Sequence, residues 1–149
     1  MKRNAITIRP ARSTDYAAVT ALLSEAKLPL VGVEEHFTDF FVAEDSSIVG
    51  CAGLERYGNV ALLRSVVVSP SARGNGLGQR LTQSCIDAAR TSGIATLVLL
   101  TETAEAFFPR LGFKAVSRDE VPMAVRDSAE FRGVCAVSAQ AMMLELTTE

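Results

Sequence analysis

The stretch Arg73-Gly74-Asn75-Gly76-Leu77-Gly78 places three glycines within five residues, between two segments of different periodicity. Before it runs Ala61-Leu62-Leu63-Arg64-Ser65-Val66-Val67-Val68, an apolar run of strand length, followed by a turn at Ser69-Pro70. After it, Leu81, Cys85, Ala88 and Ala89 recur at helical spacing. A strand, a glycine turn and a helix start together aim several backbone N–H groups at one point. The first N–H groups of a helix have no partner inside it, and the helix dipole leaves partial positive charge there. Glycine lets the backbone come close and take unusual dihedrals. Arg73 adds a permanent cation whose fork matches phosphate oxygens. The segment therefore predicts a phosphate-binding turn, with a plain glycine-rich connection as the alternative.

Two common phosphate loops fail on spacing. A P-loop requires G-x-x-x-x-G-K-[ST], and no Lys-Ser or Lys-Thr pair occurs here. The dinucleotide fingerprint requires G-x-G-x-x-G. Counted from Gly74, the third glycine arrives one residue early, at Gly78; counted from Gly76, its place is taken by Leu81.

With 149 residues the chain fits one domain with one sizeable core, and we assign residues 1–149 to a single domain. Its net charge of -2 and the lack of any stretch interleaving basic with aromatic residues argue against a nucleic-acid partner. No apolar run has bilayer length, and the N-terminus turns polar at Arg9 and Arg12, so neither a membrane span nor a signal peptide is expected. Cys51, Cys85 and Cys135 are far apart, and His36 is the single histidine, so no metal site is expected. Buried reduced thiols fit a cytoplasmic protein.

The remaining pattern reads as strands and helices in mixed order. Ile6-Thr7-Ile8 alternates as a first strand; Ser13 or Thr14 caps a helix from about Asp15, and Pro29 ends it. Phe40–Glu44, Ile48–Tyr57 and Val60–Val68 form an antiparallel meander. A helix from about Gly76 to Ser92-Gly93 leads to a strand, Thr96–Leu100, which the helical crossover makes parallel to Val60–Val68. A short helix at Thr103–Leu111, with Pro109 awkward inside it, precedes a strand at Lys114–Val116, a helical turn near Met123–Arg126 and a last strand at Ala139–Leu146. The fold class is α/β, an α+β mixed sheet with flanking helices.

Arg73, Gly76 and Gly78 form R-x-x-G-x-G after a strand ending Val66-Val67-Val68-Ser69-Pro70. Together with Ala106-Phe107-Phe108-Pro109-Arg110-Leu111-Gly112-Phe113, this resembles the two signatures of the GCN5-related N-acetyltransferases. The resemblance covers nearly the whole chain. It implies acetyl-CoA as cosubstrate and a mostly antiparallel sheet in which one central parallel strand pair splays around the pantetheine arm. It places main-chain groups of Val66, Val67 and Val68 on the pantetheine and the thioester carbonyl. Arg73, Gly74, Asn75, Gly76, Leu77 and Gly78 fall on the diphosphate, with Thr103, Phe107 and Phe108 also on the cofactor side. A capping role competes for Thr103, and plain packing competes for the two phenylalanines.

The chain departs from the family at two catalytic positions. Phe108 stands where many relatives carry a tyrosine acid, and Arg64 stands where histone-type relatives carry a glutamate base. Arginine cannot act as a base, but it can hold an acidic substrate group. Glu55, on the adjacent strand, is then the carboxylate available to act as a base through water; the competing reading is a solvated strand-end charge. Glu35 and His36, beside Glu34, lie in the connector that lines the acceptor side in this family. Phrases such as Leu62-Leu63-Arg64-Ser65-Val66 and Leu100-Thr101-Glu102-Thr103 look like the acetyltransferases of bacterial arsenic-resistance operons. That likeness implies a small-molecule amine acceptor, a glutamate analogue such as arsinothricin or phosphinothricin. Biosynthetic acetylation of an amino acid, as in N-acetylglutamate synthesis, and a non-catalytic CoA-binding module are the alternatives. Dimers are common in the family, so a homodimer is compatible with it.

Overall fold

The computed structural model describes residues 6–101, 107–128, 131 and 139–146. Its strands are β1 (Thr7–Pro10), β2 (Phe40–Glu44), β3 (Ile48–Tyr57), β4 (Val60–Val68), β5 (Thr96–Thr101), β6 (Lys114–Val116) and β7 (Gln140–Glu145). Its helices are α1 (Tyr16–Glu25), α2 (Leu77–Thr91) and α3 (Met123–Arg126). The strands form one mixed seven-stranded sheet in the order β1-β2-β3-β4-β5-β7-β6. The expected meander, the parallel β4–β5 crossover and the α/β class are all present. Residues 49–55 of β3 and 60–65 of β4 are buried without interruption. Strands covered on both faces have no polar side to show, which is why these segments read as apolar runs.

The chain gathers into two compact units. The first holds Met1–Leu54 and Ser65–Cys85; the second holds Glu55–Arg64 and Ile86–Glu149. In the first, Val19, Leu22 and Leu23 of α1 pack with Val33, Phe37, Phe40, Val42, Cys51 and Val67. Each fully buried Leu or Phe contributes ~1.5–3 kcal/mol by leaving water. Phe40 pairs with Gly53 across β2 and β3, and its ring takes the space a side chain would need: a Cβ on Gly53 would sit 2.3 Å from Phe40 Cε1. Gly50 does the same for α2, since its Cβ would lie 3.0 Å from Leu81 Cδ1.

In the second unit, β4 runs parallel to β5, with Val60, Ala61 and Leu62 paired to Thr96, Leu97 and Val98. β4 then continues to Val68 and β5 to Thr101. β7 pairs antiparallel with β5 along its length and with β6 on its other side. Val60, Leu62, Val98, Val121, Val125 and Ala141 form this unit's core.

Three local expectations need correction. Helix α1 ends before Pro29. Lys27 takes a left-handed φ of 61°, its N–H bonds Ser24 O at 3.1 Å, and the N–H of Leu28 reaches back to Leu23 O at 2.9 Å. That double closure is a Schellman end, which is usually built on glycine and is here built on lysine. Neither Ser13 nor Thr14 caps the N-terminus. Asp15 does the local work, accepting the Arg12 N–H at 2.7 Å while Arg9 holds its carboxylate at 2.8 Å. Pro109 is not awkward. It sits near the start of a 3-10 turn, Phe108–Leu111, where a missing N–H leaves no bond unmade. Residues 103–106 of the expected helix lie outside the described residues, as does Cys135.

Candidate active site

Helix α2 follows the short turn Pro70–Ala72 and the glycine stretch. The first bond of its ladder runs from Arg80 N to Gly76 O at 3.1 Å, so the N–H groups of Leu77, Gly78 and Gln79 stand ahead of it. Gly74 and Gly76 have φ of 89° and 73°, and no heavy atom lies within 4 Å of where their Cβ atoms would be. The backbone conformation demands glycine, and the open side leaves the turn approachable. Arg73 Nε donates to Val68 O at 3.0 Å, which ties the guanidinium to the exit of β4. Asn75 Nδ2 reaches Ala72 O at 3.4 Å, bracing the turn from the other side. Leu22 and Glu25 of α1, and Ala26 just past its end, line a small crevice with Val67, Val68 and Arg73. These features fit a diphosphate: main-chain donors and a cation at one place, beside a small crevice of mixed lining.

Strand β4 changes phase before it reaches that turn. Along β3, Cys51 and Tyr57 are six residues apart, an even interval that keeps both on one face. Along β4, Leu62 and Val67 are five apart, an odd interval. Yet Leu62 clusters with Tyr57, and Val67 clusters with Cys51. One residue of β4 must be extra. Ser65 is that residue: its φ is 61°, left-handed and uncommon for a side-chain-bearing residue. Its carbonyl accepts the Cys51 thiol at 3.3 Å. The residue with left-handed φ therefore lies directly before Val66, Val67 and Val68, whose main chain the family resemblance implied for the pantetheine and the thioester. Ser65 carries no sequence signal of its own; only the odd interval, visible once the clusters are known, reveals it.

Glu55 and Arg64 come together in the second unit. The turn Gly58-Asn59 folds β3 onto β4, and the Arg64 guanidinium bonds Glu55 Oε2 through Nη1. Tyr57 donates its phenol to Glu55 Oε1. Glu55 is 2% exposed and Arg64 3%, so this is a buried charged cluster and not a solvated strand end. Both oxygens of the carboxylate expected to order a water are already in use, and the arginine expected to meet the acceptor is in contact with that carboxylate. Tyr57 was missed because it matches no motif position. The available signal was its spacing, two residues beyond Glu55 on the same strand face.

The other sequence candidates are placed as follows. Glu35 is exposed and His36 half-buried in the turn before β2. The N–H of His36 bonds Gly32 O at 3.2 Å. Phe108 is buried between Phe107 and Phe113, with ring centroids 5.0 and 5.6 Å away in edge-on contact. Thr103 lies outside the described residues. Cys51 and Cys85 are buried free thiols, and burial pushes the Cys85 thiol well up. Among the described residues no group of His, Cys, Asp and Glu could hold a metal ion, and no helix is long and apolar enough to cross a membrane.

The family described as an acetyltransferase (GNAT) domain matches residues 36–115. This chain belongs to the GNAT acetyltransferase family. The match takes in β2 to β6, and with them the glycine turn, the Ser65 bulge and the Glu55–Arg64 pair. The amino-acid acetyltransferase of Neisseria meningitidis is 35% identical over 130 residues, 78% of this chain and 29% of that protein. This chain thus spans less than a third of that relative. The amino-acid acetyltransferase of Mycobacterium tuberculosis is 28% identical, over 80% of this chain and 75% of its own length. Among solved structures, N-acetylglutamate synthase from Neisseria gonorrhoeae, complexed with coenzyme A and N-acetyl-glutamate, superposes with a TM-score of 0.82 at 28% identity. The superposition covers 99% of this chain and 36% of that one. The two sequence relatives are named amino-acid acetyltransferases and the structural neighbour an N-acetylglutamate synthase, the kind of activity expected above as the alternative to arsenic resistance.

Proposed function

We propose that this chain transfers the acetyl group of acetyl-CoA to the α-amino group of a small acidic amino acid of the glutamate type. The observation that carries the reading is the likeness, along nearly the whole chain, to a synthase solved with coenzyme A and N-acetyl-glutamate. The glycine turn supports it from the residues upward, since its free N–H groups and Arg73 suit a diphosphate. Main-chain groups of Val66, Val67 and Val68 hold the pantetheine amides and polarise the thioester carbonyl. The acceptor amine attacks that carbonyl; the C–N bond forms, the C–S bond breaks and the thiolate departs. Arg64 provides the positive charge for the acceptor's acidic group, and Glu35 and His36 belong to the acceptor side. Thr103 and Phe107 contribute to the cofactor side. Phe108 has no proton to give, so the departing thiolate is protonated by water or by the acceptor ammonium.

Phosphinothricin and arsinothricin present the same α-amino acid end as glutamate, which keeps resistance to such toxins as the second reading. A thiol-release assay with acetyl-CoA against L-glutamate, phosphinothricin, arsinothricin and neutral amino acids tests the assignment. Turnover on L-glutamate is the expected result. Turnover on the toxins alone would move the assignment to resistance. CoA binding with no turnover on any acceptor would reduce the chain to a binding module.

A further inference from the structure

We infer that Tyr57 is a positioning residue for the acceptor: through Glu55 it fixes the orientation of the Arg64 guanidinium. This rests on the reading of Arg64 as the group that meets the acceptor's acid.

The geometry is a relay of two hydrogen bonds on one carboxylate. Tyr57 donates to Oε1 of Glu55, and Arg64 donates to Oε2. Two donors on different oxygens fix the carboxylate plane, and a fixed carboxylate orients the guanidinium that bonds it through Nη1. The backbone makes the arrangement local. Glu55 and Tyr57 share a face of β3 as residues i and i+2, and the two-residue turn brings Arg64 diagonally across from Glu55. The tyrosine ring packs against the core of Val60, Leu62 and Val98, so its hydroxyl is delivered by a side chain that is itself held.

Stability alone does not explain the cluster. Taking two charges out of water costs about as much as their attraction returns, and apolar residues of similar volume often do as well. Here the pair is buried, in the unit whose core cluster holds Val60, Leu62 and Val98. What such a cluster provides and apolar residues cannot is one oriented guanidinium. The same reasoning reassigns Glu55. A carboxylate that accepts from both a phenol and an arginine serves as a brace and not as the base.

Three variants test this with L-glutamate as acceptor and calorimetric CoA binding as the control. Arg64→Lys examines the underlying reading, and Tyr57→Phe examines the inference. Tyr57→Phe should raise the acceptor KM about tenfold, the loss of one hydrogen bond to a charged group, with kcat and CoA affinity nearly unchanged. Glu55→Gln should act in the same direction, and it reads the same relay if Tyr57→Phe does not fold. If Arg64→Lys raises KM while Tyr57→Phe leaves it alone, the relay is wrong and the arginine reading survives. If Arg64→Lys leaves KM unchanged, the arginine reading is wrong and the inference falls with it. A large loss of kcat in Glu55→Gln at unchanged KM would restore Glu55 as the base and overturn the inference.

Discussion

The glycine turn at 73–78 and the Glu55–Tyr57–Arg64 cluster are built in opposite ways. The turn offers main-chain N–H groups, exposed glycines and space. The cluster offers two buried charged side chains and a half-buried phenol, already bonded to one another. A backbone site tolerates changes in what surrounds it but none in its own dihedrals. A side-chain site has the reverse weakness, because each member depends on the others. In the function proposed above, the turn meets coenzyme A, whose diphosphate never varies, and the cluster meets the acceptor, which must be told from others.

The largest effect that would sharpen this contrast is in the cluster. Arg64→Ala leaves a buried carboxylate without its cation and should destabilise by ~3–5 kcal/mol, read by urea unfolding. The double variant Glu55→Leu/Arg64→Met removes both charges and should recover most of that loss while acceptor turnover stays absent. If the double variant is as unstable as the single, the pair is structural and the contrast disappears. In the turn, Gly76→Glu places bulk and negative charge among the N–H donors. We expect a drop of about 100-fold or more in CoA affinity, roughly 2.7 kcal/mol, with circular dichroism unchanged. Unchanged affinity in calorimetry would mean that the diphosphate binds elsewhere.

The smallest effect comes from a second charged cluster, to which the proposed function gives no role. Arg9 bonds both Asp15 and Glu44, at 2.8 and 3.0 Å. The Arg9 hydrogen bond, seconded by the Arg12 N–H, holds the Asp15 carboxyl below its ordinary value. A depressed folded value means stabilisation that is complete above the unfolded carboxylate range and lost as pH falls through the folded value. Asp15→Asn should therefore cost about 1.5 kcal/mol at pH 7, with the gap to the native protein closing below about pH 4. Neither KM should move. A shift in the acceptor KM would show that this cluster also reaches the site.

The fold was largely legible. Phe40–Glu44, Ile48–Tyr57 and Val60–Val68 are bounded by turn residues, and their apolar runs have strand length. The glycine turn was legible because spacing and glycine content encode a backbone directly. Side-chain partnerships were not. Nothing about Glu55 in sequence says that Tyr57 and Arg64 will occupy its two oxygens, because that follows from the hairpin register and the burial of Glu55 and Arg64. Lys27 gave no sign of ending α1, since its left-handed turn is one that glycine usually makes. The prolines misled in both places where they were weighed: Pro29 comes after the helix has already closed, and Pro109 stands where no donor was needed.

The extra residue in β4 bears on how this chain can vary. A deletion at position 65 would remove the extra residue and leave Val67 on the face it now holds, whereas drawing residue 65 into the regular pleat would exchange inside for outside from Val66 onward and send Val67 away from the core that holds it. Two amino-acid types suit the spot beyond serine, glycine and asparagine, because both accept the left-handed turn. A valine there, the residue on either side of which the strand would welcome it, would press the ribbon straight. The pleat of β4 is thus written twice, in two frames, and a single backbone dihedral keeps them in step.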